Sequence, residues 1–129
     1  MNNLSLTLLI VGGFFNLGFG LFHLTFWRVF RWKEELASLS FINRGIVQVL
    51  NLCLTFVFFV LAYISFFHAS ELLSTKLGAA LLTAIALFWF LRAVEQVIFF
   101  RLRRPVSLIL TLVFLLGSAL YLAPLILEF

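Results

Sequence analysis

The segment Phe88–Arg104, FWFLRAVEQVIFFRLRR, decides the fold, because it places Arg92, Glu95 and Gln96 inside an apolar run that is otherwise typical of a membrane-spanning helix. An ionisable side chain at bilayer depth costs about 3 kcal/mol, so such residues face the interior of a helix bundle or a cavity and pair there. Arg92 and Glu95 stand three positions apart, on one helix face, where an ion pair is expected. The segment therefore predicts a polar centre inside a membrane protein.

The composition of the whole chain indicates the same class of protein. Of its 129 residues, 64% are hydrophobic and 11% are charged, and the mean hydropathy is +1.20, whereas soluble domains are about half apolar. A spanning helix takes about 20 residues, so four spans with short connections use nearly the whole length. We predict an all-α integral membrane four-helix bundle, a single domain over 1–129 with spans at about 4–32, 42–67, 76–100 and 105–125.

Basic residues at the ends of the apolar runs predict the orientation. Lys76 alone lies at the second connection, whereas seven basic residues lie around the first and third: Arg28, Arg31, Lys33, Arg44, Arg101, Arg103 and Arg104. Because cytoplasmic loops carry the excess of Lys and Arg, we expect a bacterial inner membrane protein with both termini on the extracytoplasmic side. The same distribution explains the net charge of +4 as a topology signal and argues against a nucleic-acid partner.

Small and polar residues recur on one face of each of the first two helices, at the spacings of three and four that keep residues on one helical face. These residues are Gly13, Asn16, Gly20, His23 and Trp27 in the first helix and Arg44, Gln48, Asn51 and Thr55 in the second. Gly12, Asn16 and Gly20 also form a small-xxx-small series, which allows another helix to approach closely. Both helices are therefore expected to turn a polar face inward.

Residues typical of helix starts mark the connections. Ser38 or Ser40 is expected to cap the second span, and Ser70 or Ser74 the third. Pro105 fits the first turn of the fourth span, where its missing N–H group leaves no hydrogen bond unmade. These residues set the expected starts of three helices.

We count inward from Arg28, Arg44 and Arg101, the basic residues that mark the cytoplasmic boundary, at about 1.5 Å per residue. This count places the rare polar side chains of three helices at one level. These side chains belong to His23, Gln48, Asn51, Arg92 and Glu95. We predict a single polar pocket in the cytoplasmic half of the bundle, opening toward the cytoplasm. Its members are His23 and Glu95 for proton transfer, Arg92, Asn51, Gln48, Gln96 and Asn16 for ligand binding, and Trp89 and Trp27 as aromatic walls.

The side chains of this pocket suggest its chemistry. The planar guanidinium of Arg92 suits a carboxylate or phosphate, provided that Glu95 does not neutralise it. His23 and Glu95 can exchange protons near neutral pH, and the side-chain amides can orient a carbonyl or hydroxyl group. At that level Glu95 is the only residue besides His23 whose side chain is of a type that ligates metals. Cys53 is the single cysteine of the sequence. We therefore expect no metal site and no internal disulfide, and the sequence indicates no particular cofactor.

Three functions fit this pattern. The leading one is a small membrane protein whose pocket binds a membrane-soluble or amphipathic small molecule, with a reaction on that molecule left open. The second is a structural or accessory subunit of a membrane complex, in which the polar layer only specifies helix packing and the glycine faces contact another membrane protein. The third is a homo-oligomeric small transporter or channel. The expected partners are the lipid bilayer, the small-molecule ligand, and a second copy or another membrane protein.

Overall fold

A computed structural model describes residues 1–129, which form helices and no β-strand. Four helices are long and apolar enough to span a membrane: α1 (Asn3–Leu24), α4 (Phe41–Phe67), α6 (Lys76–Glu95, continued by a π-helical turn to Phe100) and α7 (Pro105–Glu128). The connections contain α2 (Phe26–Val29), α3 (Trp32–Glu35), a 3₁₀ turn (Leu36–Ser38) and α5 (Ala69–Ser74). The predicted all-α class, with four apolar helices of the kind that form a membrane bundle, is confirmed.

The long helices expose large apolar side chains. Phe56 is 68% exposed in the middle of α4, Leu112 is 58% exposed in α7, and Leu87 is 53% exposed in α6. Apolar patches of this extent are rare on soluble monomers, because their contact with water is unfavourable. The surface fits a protein whose helices are surrounded by lipid.

The first long helix is shorter than predicted, ending at Leu24 rather than near residue 32. Thr25 leaves the α-helical pattern, because its backbone N–H donates to the Phe22 carbonyl at 2.9 Å and its hydroxyl donates to the same oxygen at 2.6 Å. Arg31 then takes a left-handed φ of 52°, which separates α2 from α3. The aromatic and basic residues 27–32 therefore belong to short helical turns beyond the apolar helix. Within α1, the predicted polar face ends at His23.

The helix starts agree with the sequence at two of three positions. The Ser40 Oγ accepts a hydrogen bond of 3.2 Å from the Asn43 N–H, and Pro105 is the first residue of α7, so both predictions are confirmed. The third prediction is wrong. Thr75, rather than Ser70 or Ser74, caps α6, because its Oγ1 accepts from the Gly78 N–H at 2.9 Å.

The chain divides into two compact units, and the first comprises Met1–Gly12 and Ser65–Phe129. Within it α6 packs along α7, and the Ser118 hydroxyl of α7 donates to the Ala86 carbonyl of α6 at 2.8 Å. The buried Tyr121 of α7 shares a 2.8 Å hydrogen bond with Ser65. A Cβ atom on Gly12 would lie only 2.8 Å from the Tyr121 ring, so this glycine lets α1 approach α7 closely.

The second unit, Gly13–Ile64, contains the rest of α1, the short helices and most of α4. A Cβ atom on Gly20 would lie 2.8 Å from the Phe59 ring of α4. One residue earlier on each helix, the rings of Phe19 and Phe58 pack with their centroids 6.0 Å apart. The glycine thus makes room for an aromatic side chain of the neighbouring helix.

Gly78 offers a test of the corner between α5 and α6. A Cβ atom there would lie 2.5 Å from the Glu71 carbonyl oxygen and closer still to that of Leu72, both of which are backbone atoms. Gly78→Ala should therefore lower the free energy of unfolding by about 1–3 kcal/mol, the usual cost of overpacking. The measurement is reversible unfolding in mixed micelles, followed by circular dichroism.

Gly18→Ala is the matched control, since nothing lies within 4 Å of a Cβ at that position. It should be neutral or stabilise α1 by up to about 1 kcal/mol, the difference in helix propensity. Equal stability of the two alanine variants would contradict the described corner.

Candidate functional site

Arg92, in the last turn of α6, is the charged centre of the first unit. Its guanidinium Nη2 donates to the Gln96 Oε1 at 3.1 Å, and its Cζ lies 4.5 Å from the centroid of the Phe114 ring on α7. A cation over an aromatic face is stabilised by the ring quadrupole. These two contacts hold a half-buried guanidinium in one orientation.

The expected ion pair between Arg92 and Glu95 is not formed. Glu95 is exposed, and Arg92 makes its only hydrogen bond to the neutral Gln96. Positions i+3 and i+4 are both within reach on a helix, and the packing of the guanidinium on Phe114 favours the side of Gln96. The prediction of an Arg92–Glu95 ion pair was wrong, although the Glu95 carboxylate still acts electrostatically on the guanidinium from a longer distance.

The direction of the Arg92 side chain is also informative. Long helical side chains usually lean toward the N-terminus of their helix. The Arg92 guanidinium instead lies beside Gln96 and 6.0 Å from the centroid of the Phe100 ring. It therefore extends toward the end of the span, where Arg101 and Arg104 follow in an exposed basic loop, as expected for an arginine that carries its charge toward the interface.

Gln96 joins Arg92 to the start of α7. This buried amide accepts from Arg92 through Oε1, and its Nε2 donates to the Ser107 Oγ at 3.1 Å. The Ser107 hydroxyl in turn donates to the carbonyl oxygen of Arg101. Gln96 uses its oxygen as an acceptor and its nitrogen as a donor, so these hydrogen bonds fix the orientation of the glutamine amide.

The backbone is irregular at the same place. Gln96–Phe100 forms a π-helical turn, and Arg101 then adopts a φ of 58°. Single π-helical turns inside apolar helices occur frequently at functional sites. Here the turn and the following loop bring the Arg101 carbonyl to Ser107, which completes the network.

An aromatic wall backs the guanidinium. Trp89 is buried, and its ring stacks on Phe114 with centroids 5.9 Å apart and an interplanar angle of 20°. Arg92 uses the same Phe114 ring. Trp89 thus contacts the ring on which Arg92 packs, and its role as an aromatic wall of a binding site remains a prediction.

His23 and Asn51 form the polar pair of the second unit. The Asn51 Nδ2 donates to the His23 backbone carbonyl at 3.1 Å, and the Asn51 Oδ1 lies 2.8 Å from the His23 Nδ1. Since the amide nitrogen is already used as a donor, Oδ1 is the acceptor and His23 Nδ1 carries a proton. This reciprocal pair links α1 to α4.

Aromatic rings surround the imidazole of His23. The Phe26 ring stacks on it with centroids 4.1 Å apart and an interplanar angle of 28°, and the Phe58 ring lies at 5.1 Å. These contacts and the Asn51 amide position the imidazole from several sides. The proton-transfer roles of His23 and Glu95 remain predictions.

The other predicted site residues lie in different surroundings. Gln48 donates to the Arg44 carbonyl of its own helix at 3.0 Å, and Asn16 is fully buried in α1. Trp27 is 46% exposed in α2, with its ring 6.3 Å from that of Trp32. The contacts within units therefore pair Arg92 with Gln96 and His23 with Asn51.

Three residues with evident roles were not predicted as site members. Ser107 receives Gln96, Phe114 supports Arg92, and the Arg44 side chain forms no hydrogen bond or ion pair although its Nε is buried. The sequence contains a signal for Ser107, a hydroxyl in the first turn of an apolar helix, and for Arg44, a charge within a span. Nothing distinguishes Phe114 among 18 phenylalanines.

No three side chains of the types that ligate metals lie together. Comparison with known proteins gave no match to a family model, to a curated protein or to a solved structure. The functional argument therefore depends on the geometry of the two polar clusters.

The tautomer of His23 tests the geometry of its pair. In ¹⁵N-histidine-labelled protein with a neutral His23 imidazole, NMR should show the proton on Nδ1 and none on Nε2, because the Asn51 Oδ1 accepts from Nδ1. Asn51→Leu should abolish this preference and lower the free energy of unfolding by about 1 kcal/mol, the scale of hydrogen bonds between membrane helices. A proton on Nε2 in the unsubstituted protein would contradict the pair.

Proposed function

We propose that this chain is a small integral membrane protein that binds an amphipathic molecule, whose carboxylate or phosphate group pairs with Arg92. The observation that carries the proposal is the state of that guanidinium: it lies in an apolar helix, is held by Gln96 and Phe114, and forms no ion pair with Glu95, whose charge acts on it only from beyond ion-pair distance. Nε and Nη1 form no hydrogen bond within the chain. Nη2 carries a second N–H beside the one donated to Gln96, so the fork that it forms with Nε or with Nη1 can still receive two acceptor oxygens.

The position of the guanidinium supports an amphipathic ligand rather than a soluble one. The backbone of Arg92 lies nine residues, or about 13 Å along the helix axis, before Arg101. Because its guanidinium contacts Gln96, four residues further on, the charge lies about 6 Å nearer to the basic loop than the Arg92 backbone does. An acidic group held there leaves its apolar part at the level of the span. The Phe100 ring, which is 63% exposed and has its centroid 6.0 Å from the Arg92 Cζ, supplies apolar surface beside the charge.

The competing proposal is an accessory subunit in which these polar residues only specify helix packing. It has one specific observation in its favour, since Gln96 of the α6 extension donates to Ser107 of α7 and so joins two helices. In that case Arg92 completes the network without a ligand. The two proposals differ in the expected effect of removing the Arg92 charge: a loss of ligand affinity in the first, and a loss of stability without a change in ligand affinity in the second.

The proposed location is a bacterial inner membrane with both termini on the extracytoplasmic side. The Asn2 N–H donates to the Glu128 Oε1 at 2.6 Å, and this contact supports termini on one side of the membrane. The choice of side rests on the basic residues of the first and third connections.

The binding proposal predicts a charge-selective loss in Arg92→Gln. In phosphatidylcholine nanodiscs, the affinity for laurate or dodecyl phosphate should fall about 10- to 100-fold, because charge-assisted hydrogen bonds contribute about 1.5–3 kcal/mol. The affinity for uncharged dodecanol should stay unchanged. Isothermal titration calorimetry measures all three, and comparison of laurate with the phosphate shows which acid is preferred.

Arg92→Lys and Arg103→Gln are the matched controls. The lysine keeps the charge without the planar fork and should bind with intermediate affinity, whereas loss of the exposed Arg103 should change little. If Arg92→Gln is less stable but binds laurate and dodecyl phosphate as the unsubstituted protein does, the binding proposal fails and the packing role is favoured.

A further inference from the structure

An apolar groove runs along the first half of α4, away from the Arg92 network in sequence. Its volume is about 520 Å³, within the range of small-molecule sites. The lining residues are Phe41, Ile42, Arg44, Gly45, Ile46, Gln48, Val49 and Leu50. The groove thus combines aliphatic surface with one charged side chain.

Arg44 is the unusual member of this groove. Its side chain forms no hydrogen bond and no ion pair, and its Nε is buried. A buried donor without an acceptor is unfavourable, the more so when it belongs to a charged group. The two terminal Nη groups of Arg44 are not buried and also form no hydrogen bond, so an acidic group in the groove would accept from them and supply the missing negative charge.

Gly45 gives the groove its depth. No atom lies within 4 Å of a Cβ built on this residue, so the backbone of α4 is open to a neighbour there. Ile46 and Val49 are 49% and 58% exposed beside it. A flexible hydrocarbon chain can lie along such a surface, with close contact over the glycine.

The groove lies near the start of a spanning helix. Ser40 caps α4, and Arg44 follows in the first turn, one turn before a long apolar segment. Lipid headgroups occupy that level, and basic residues beside spanning helices select anionic lipids. An anionic lipid fits this order, because its charged headgroup lies at the level of Arg44 and its acyl chain at the level of the apolar residues that follow.

We propose that this groove binds one anionic phospholipid molecule, with its phosphate on Arg44 and an acyl chain over Gly45 against Ile46 and Val49. The proposal is independent of the Arg92 site, because it rests on different residues. It assigns a role to Arg44 beyond topology.

Native mass spectrometry of the full chain in detergent tests the proposal. The chain is titrated with phosphatidylglycerol or with phosphatidylcholine of the same acyl composition. Arg44→Gln should weaken phosphatidylglycerol binding about tenfold and leave phosphatidylcholine unchanged, since only the charged contact is lost. Gly45→Leu should weaken both lipids, because its side chain fills the place of the acyl chain without a clash in the protein.

The controls are a second arginine and a second open glycine of the same unit. Arg28→Gln removes an exposed charge, and Gly18→Leu adds the same side chain at a position where nothing lies within 4 Å. Both should bind phosphatidylglycerol as the unsubstituted chain does. Circular dichroism verifies that all four variants keep their helices.

Several results would overturn the proposal. Unchanged phosphatidylglycerol binding in Arg44→Gln and Gly45→Leu is one, and equal binding of the two lipids to the unsubstituted chain is another. A dimer that only Gly45→Leu dissociates would assign the groove to a second copy of the chain. Loss of phosphatidylglycerol in Arg92→Gln but not in Arg44→Gln would place the lipid at the Arg92 site instead.

Discussion

A charged side chain in an apolar helix has to be stabilised by the protein around it, and the packing around Arg92 shows how this chain does so. The guanidinium lies on the Phe114 ring and donates to Gln96, which donates to Ser107, which donates to the Arg101 carbonyl. The network joins α6, the π-helical turn, the loop and the start of α7. Because no carboxylate belongs to this network, the network orients the charge of Arg92 without removing it.

Small residues allow the helices to approach closely elsewhere in the two units. Gly12 lies against Tyr121 and Gly20 against Phe59, and in both cases a Cβ atom would meet an aromatic ring at 2.8 Å. Membrane helices lack a strong hydrophobic driving force for association, so close packing and hydrogen bonds between helices carry more weight. Gly12 and Gly20 thus serve packing inside the chain, whereas Gly18 of α1 and Gly45 of α4 remain open.

Much of the fold follows from local sequence. The four apolar runs of the sequence correspond to the four long helices of the structure. Ser40 and Pro105 lie at the starts of α4 and α7, as predicted. The end of α1 could not be predicted from hydropathy, because the aromatic residues after Thr25 are as apolar as those before it, and a side-chain hydrogen bond to the Phe22 carbonyl ends the helix. The Thr75 cap was missed because Ser70, Ser74 and Thr75 have the same capping chemistry.

Sequence by itself determined the class of this protein, the four apolar helices and the polar residues that need partners, because hydropathy and helical periodicity are properties of neighbouring residues. Only the tertiary structure decided which partner each polar group found. Arg92 donates a hydrogen bond to Gln96 rather than forming an ion pair with Glu95, because Phe114 of a different helix lies on the side of Gln96. The Arg44 side chain has no hydrogen-bond partner. Such choices depend on atoms from distant parts of the chain, and spacing along one helix does not contain them.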